Sequence, residues 1–150
     1  RGRAYTVGFY PGMEYASDLM KDGGYDMSVD FQADKRDYIG KPALAAGVKP
    51  VVDASYPIVE GILLKNRKTG KLAASLMNWA YKGNDWKAGV IKKVQELVLL
   101  NNVTVKIRKT GTLKSVTSAA TGKPLIFEQT GADVLVKIPR LEAGDILLLE

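Results

Sequence analysis

This sequence predicts a mainly β protein, an antiparallel β-sandwich preceded by a short α/β segment, and three observations carry the prediction. Short runs of β-favouring residues in the last third are punctuated by Thr-Gly at Thr110-Gly111, Thr121-Gly122 and Thr130-Gly131. Turn signals about every 8–12 residues between such runs mark an antiparallel meander in a sandwich or barrel. Two runs alternate cleanly, Val103, Val105 and Ile107 against Thr104, Lys106 and Arg108, and then Val134, Val136 and Ile138. Half-solvated strands require that pattern. No helical crossover separates the arms, so sequential strands joined by tight turns pair antiparallel, and six or seven arms favour a sandwich over a closed barrel.

Taken in chain order, residues 4–10 form a short apolar run stopped by Pro11-Gly12, a dipeptide that favours a turn. Residues 13–20 suit one or two helical turns, ended by Gly23-Gly24, and residues 34–46 predict a modest helix capped by Gly47. Pro42 has no amide donor and crowds the preceding turn, so it must start that helix or kink it. From Pro57 the character is β: residues 58–64 and 72–79 flank Lys68-Thr69-Gly70 as the arms of a hairpin, with imperfect alternation in both. Residues 90–100 satisfy a helical face and a strand parity alike, and the β neighbours favour a strand for the second half. Residues 115–119 and 123–129 supply two more arms, and residues 145–149, apolar on both faces, predict a covered central strand. The organisation expected is an N-terminal remnant with one strand and short helices over 1–55, then an antiparallel sandwich over 56–150. Arg1, not Met, stands at the start, immediately before a strand, which implies a fragment or a processed product. An unpaired edge on residues 4–9 is a route to a homodimer.

Composition narrows the chemistry. A chain of 150 residues with 46% hydrophobic content can bury a core without disulfides or metal. With neither Cys nor His, it lacks thiolate nucleophiles, sulfur-based zinc sites, the commonest general base and the commonest transition-metal ligand. The missing Cys leaves the redox compartment open. Lys and Arg outnumber Asp and Glu by 22 to 16, yet they are spread along the chain. The clusters Lys65, Arg67, Lys68, Lys71 and Lys106, Arg108, Lys109 fall at hairpin ends, where lysine gives solubility and blocks edge pairing, so no nucleic-acid partner is expected. No apolar run approaches the roughly 20 residues that span a bilayer, so no membrane partner is expected, and no signal peptide is visible.

Motifs for phosphate and nucleotide chemistry fail on inspection. A phosphate-binding loop needs Gly-Lys followed by Ser or Thr to hold magnesium, but Gly70-Lys71 precedes Leu72 and Gly122-Lys123 precedes Pro124. No Gly-x-Gly-x-x-Gly occurs. Asp26, Asp30, Asp34 and Asp37 would align on one continuous helix, but a break near Asp30 makes them a solvated face, and no metal or other cofactor is expected. Glu60 interrupts an apolar run, which reads as an outward carboxylate or a partner for a lysine across the hairpin. A complete small glycosidase with carboxylate catalysis would instead use it, so that alternative stays open while no residue is assigned as catalytic. The aromatic group Trp79, Tyr81 and Trp86, with Asn78, Asn84 and Asp85 among them, lies in a Gly-containing stretch read as a loop. Exposed aromatic faces beside amides can stack on sugar rings and bond their hydroxyls, which makes Trp79, Tyr81, Asn84 and Trp86 the candidate substrate-binding set. The plainer alternative places Trp79 in the core and Trp86 as a cap on the sandwich. Asn102-Val103-Thr104 matches a glycosylation acceptor and has meaning only in a eukaryotic secretory context.

Residues 2–12 look like a last strand and exit turn. Val59-Glu60-Gly61-Ile62-Leu63-Leu64, Leu76-Met77-Asn78-Trp79, Val116-Thr117-Ser118 and Gly144-Asp145-Ile146-Leu147-Leu148-Leu149 look like successive strands of a terminal sandwich. In that order they resemble the C-terminal region of bacterial glycoside hydrolases of the beta-galactosidase type. Those enzymes place a (β/α) barrel first, an amidotransferase-like domain next and a small β-sandwich last. The catalytic carboxylates of that family belong to the barrel, so none is carried onto this chain. The resemblance implies a non-catalytic accessory piece, with upstream domains of the same polypeptide as partners. It also implies a polysaccharide-degrading bacterial source and an extracellular or periplasmic location. A carbohydrate-binding module using residues 79–86 is the alternative from the binding class.

Overall fold

The computed structural model describes residue 10, residues 25–26, residues 33–87 and residues 90–150. The run at 4–9, the turn at Pro11-Gly12, the helical turns at 13–20 and Asp30 lie outside the described residues. In chain order the described elements are β1 (Tyr25–Asp26), α1 (Ala33–Ala45), β2 (Val52–Ala54), β3 (Val59–Lys65) and β4 (Leu72–Asn78). Next come β5 (Tyr81–Lys87), β6 (Val90–Leu97), β7 (Leu100–Ile107), β8 (Val116–Ser118), β9 (Ile126–Thr130), β10 (Asp133–Leu141) and β11 (Gly144–Leu149). The protein is mainly β with antiparallel sheets, as its sequence predicts.

The chain divides into two compact units, residues 50–81 with 97–150, and residues 1–49 with 82–96. The first of these is the sandwich. One sheet has the order β2-β7-β10-β9 and the other β3-β4-β11-β8. Their inward residues form one core: Val103, Val105, Ile107, Val134, Val136 and Ile138 from one sheet meet Ala74, Leu76, Val116, Leu147 and Leu149 from the other. The clean alternation of β7 and β10 is therefore the alternation of inward and outward faces. Between Val103 and Leu100 the inward phase shifts by one residue, and the exposed Asn102 takes up the shift at a left-handed φ of 53°. This division differs from a boundary at 55/56 in two places. β2 pairs with β7 through Val52↔Ile107, and residues 82–96 belong with the other unit.

Antiparallel pairing holds, but the meander does not. Within the sandwich the sequential hairpins are β3–β4 and β9–β10, while β4 pairs with β11 and β7 with β10 across long stretches of sequence. The chain passes from one sheet to the other between β2 and β3, between β4 and β7, between β7 and β8, between β8 and β9, and between β10 and β11. The Thr-Gly dipeptides mark turns all the same. Gly70, Gly111, Gly122 and Gly131 have φ between 61° and 73°, a region that costs side-chain-bearing residues energy. Only Gly131 closes a two-residue hairpin, between Thr130 and Asp133, and glycine stands first there as a type II′ turn requires.

In the second unit, β1, β5 and β6 form a sheet in the order β1-β5-β6, with Tyr25↔Gly83 and Asp26↔Lys82 in register. The whole of 90–97 is strand, which extends the expectation for its second half. Helix α1 carries Pro42 in its interior, so the proline does not start it. Its end is a Schellman motif: Gly47, at φ 75°, donates its N–H to Leu44 O at 2.9 Å, and Val48 donates to Ala43 O at 3.0 Å.

Candidate functional site

The site begins with the parity of β4. Ala74, Leu76 and Asn78 point inward, whereas Ala73, Ser75 and Met77 point outward. Asn78 is 5% exposed, and a buried amide must find partners for both ends. Its Nδ2 donates to Val98 O and to Glu142 O, each at 2.8 Å, and its Oδ1 accepts from the Ala80 N–H at 2.9 Å. Val98 N–H in turn donates to Ala80 O at 2.8 Å. Asn78 thus locks the point where the chain leaves the sandwich after β4 to the point where it returns before β7. With these bonds made, Asn78 is a structural residue.

Trp79 continues the outward parity and is 43% exposed, so it is not a core residue. Its N–H donates to Ile58 O at 3.2 Å, and its indole Nε1 donates to Glu60 Oε2 at 3.0 Å. Glu60 lies opposite Met77 in the β3–β4 register, which brings the carboxylate within reach of the ring. Glu60 is therefore an outward carboxylate, as expected, but its partner is an indole and not a lysine. The bond fixes the indole edge and leaves ring surface for stacking.

The other candidate binding residues do not occupy a loop. Tyr81, Asn84 and Trp86 all lie on β5, because the Gly83-containing stretch pairs with β1 and not with solvent. Tyr81 is half-buried. The four aspartates do not share a helix: Asp26 is on β1, while Asp34 and Asp37 are exposed on α1. Among the described residues no group of three or more acidic side chains could hold a metal ion.

What the sequence reading missed is the outer face of the sheet β3-β4-β11-β8. The register aligns Ile62, Ser75 and Ile146 in one row and Leu64, Ala73, Leu148 and Thr117 in the next. Ile62, Leu64, Met77, Trp79, Ile146 and Leu148 are all between 43% and 53% exposed. β11 is central, as expected, but it is covered on one face only: Leu147 and Leu149 are buried while Ile146 and Leu148 are not. The signal was present in the apolar runs 62–64 and 146–149, which look the same whether the second face meets the core or another surface. Below the apolar rows, Lys71 Nζ meets Glu150 Oε1 at 2.5 Å, and the lysine holds the Glu150 carboxyl below its ordinary value.

The opposite sheet is different in character. Its outward side carries Lys137 bonded to Glu128 at 2.6 Å and Lys106 at 3.7 Å from Asp133. Lys137 holds the Glu128 carboxyl below its ordinary value. Arg108 bonds Asp53 at 3.1 Å and also the Pro50 carbonyl, so this member of a basic cluster clamps β2 to β7. A shallow groove of about 330 Å³ runs past Ile126, Pro124, Pro139 and Asn102.

These features define a class: an antiparallel β-sandwich of two four-stranded sheets, one with a charged outer face and one with an apolar outer face. The fold is similar to part of the alpha-L-fucosidase isoenzyme 2 from Paenibacillus thiaminolyticus, with a TM-score of 0.63 at 15% sequence identity. The likeness covers 79% of this chain and 18% of that one, so the chain spans less than a fifth of the enzyme's length. At that identity it is a likeness of fold. No family model matches the sequence, and no curated protein matches it.

Proposed function

We propose that this chain is a non-catalytic accessory β-sandwich module of a glycoside hydrolase-like protein, of the beta-galactosidase type that the order of its strand motifs resembles. The observation that carries the reading is the fold likeness to less than a fifth of an alpha-L-fucosidase, a proportion suited to a module within a larger enzyme. Its partners are then other domains of such a protein, and its location is periplasmic or extracellular. Purified chain incubated with a panel of aryl glycosides, including an aryl α-L-fucoside, is expected to release no aryl alcohol above the buffer blank. Hydrolysis abolished by Glu60→Gln would replace this reading with that of a small carboxylate glycosidase.

A second reading, carbohydrate binding, is favoured by one observation: Trp79 is exposed and its indole edge is pinned by Glu60. A pre-oriented aromatic loses little entropy on stacking against a sugar. Affinity electrophoresis through gels containing soluble polysaccharides tests it. Retardation lost in Trp79→Ala, with the melting temperature kept, supports binding through this ring, whereas Trp86→Ala separates the contribution of β5.

A further inference from the structure

The apolar outer face of β3-β4-β11-β8 is the least explained surface of the sandwich. Six half-exposed side chains of this size amount to roughly 500 Å², near the upper end of the largest apolar patch on ordinary monomers. A standard interface takes about 800 Å² from each partner, so the polar rim of the face has to join the contact. Of the four sheet edges, β2, β9, β3 and β8, two are poor alternatives for association. β2 and β8 have three residues each, and Pro124 bridges to Thr117 beside β8. Short edges and proline discourage strand addition.

We propose that this face packs against the same face of a second copy of the chain, sheet on sheet, with the two-fold axis running across the strands. Two arguments select that occupant. First, the centre carries no charge to desolvate: its rows are Ile62, Ser75, Ile146 and Leu64, Ala73, Leu148. Second, the ends of the face are complementary in charge. Glu60 stands at one end of β3, and at the other Lys65 leads into the turn carrying Arg67 and Lys68, beside the Lys71–Glu150 pair. A two-fold axis across the strands reverses their direction in the second copy, so each Glu60 faces the basic turn of its partner. The dimer formed in this way is distinct from one made through a strand edge, and it stands whether or not the chain serves an enzyme.

Sedimentation equilibrium over a concentration series tests the inference. The expected result is reversible association to twice the mass of one chain, weakened by raising the salt concentration because the ends contribute charge. Ile62→Lys and Leu148→Lys are expected to give a monomer with the melting temperature of the dilute parent, because both side chains point away from the core. Ile126→Lys, on the opposite sheet, is expected to leave association unchanged. A parent that stays monomeric at every concentration overturns the proposal, and so does a dimer indifferent to both Ile62→Lys and Leu148→Lys. Independent of any substitution, peroxide oxidation of Met77 is expected to slow as the concentration rises, and a rate that does not change counts against the interface.

Discussion

Asn78 shows how much one buried amide can hold. Its two donations and one acceptance join β4, the stretch before β7 and the turn before β11. Asn78→Ala leaves two carbonyls and an N–H without their partner, and a loss of roughly 2–4 kcal/mol is expected. Urea unfolding of the purified variant measures it. Glycines divide by what surrounds them. A Cβ on Gly144 would lie 2.5 Å from the backbone oxygen of Leu76, and one on Gly61 would collide with the Val52 side chain. Gly144→Ala is therefore expected to cost about 2 kcal/mol or more, since the obstruction is backbone that cannot rotate away. Gly40, inside α1 with open space around it, is the opposite case. Gly40→Ala is expected to stabilise the helix by about 0.5–1 kcal/mol, seen as a higher thermal midpoint of its helical signal.

At the scale of elements, ion pairs join strands that the sequence separates widely. Lys71, before β4, meets Glu150, just after β11, and Lys137 on β10 meets Glu128 on β9. Both carboxyls titrate lower in the folded protein because the neighbouring ammonium favours the charged form. A depressed value means that the contribution is present above the ordinary carboxylate range and is lost as the pH falls through the folded value. Carboxyl chemical shifts followed through an acid titration are expected to place Glu128 and Glu150 below the ordinary glutamate range. Lys71→Gln is expected to return Glu150 alone to the ordinary range. At exposed positions such pairs add little to stability, so the titration, not the melting temperature, is the sensitive readout.

For the molecule as a whole, the sandwich is expected to be self-sufficient. The chain leaves it after Tyr81 and returns at Leu97, and the bond from Val98 N–H to Ala80 O closes that gap. A chain made of residues 50–81 joined through a short Gly-containing turn to 97–150 is expected to unfold in one cooperative thermal transition. Loss of cooperativity would show that the core needs the rest of the chain.

Much of this architecture could be read from the residues in order. The alternation at 103–107 and 134–138, the Thr-Gly turns and the hairpin around Gly70 depend on neighbours two to ten positions apart, so local chemistry determines them. Glu60 as an outward carboxylate belongs with them. Local sequence did not determine which strands pair, because β7–β10 and β4–β11 are chosen by burial across two sheets and not by the turns between successive strands. It also misled at 81–87, where a glycine and polar residues suggested a loop but the hydrogen bonds of β1 make a strand. The sequence by itself determined a mainly β, antiparallel chain with its turn positions and inward faces, since side-chain period and backbone sterics act locally. Only the tertiary structure decided that the second apolar face of β3 and β11 meets no core, because an apolar run is the same sequence whether its outer side is covered or bare.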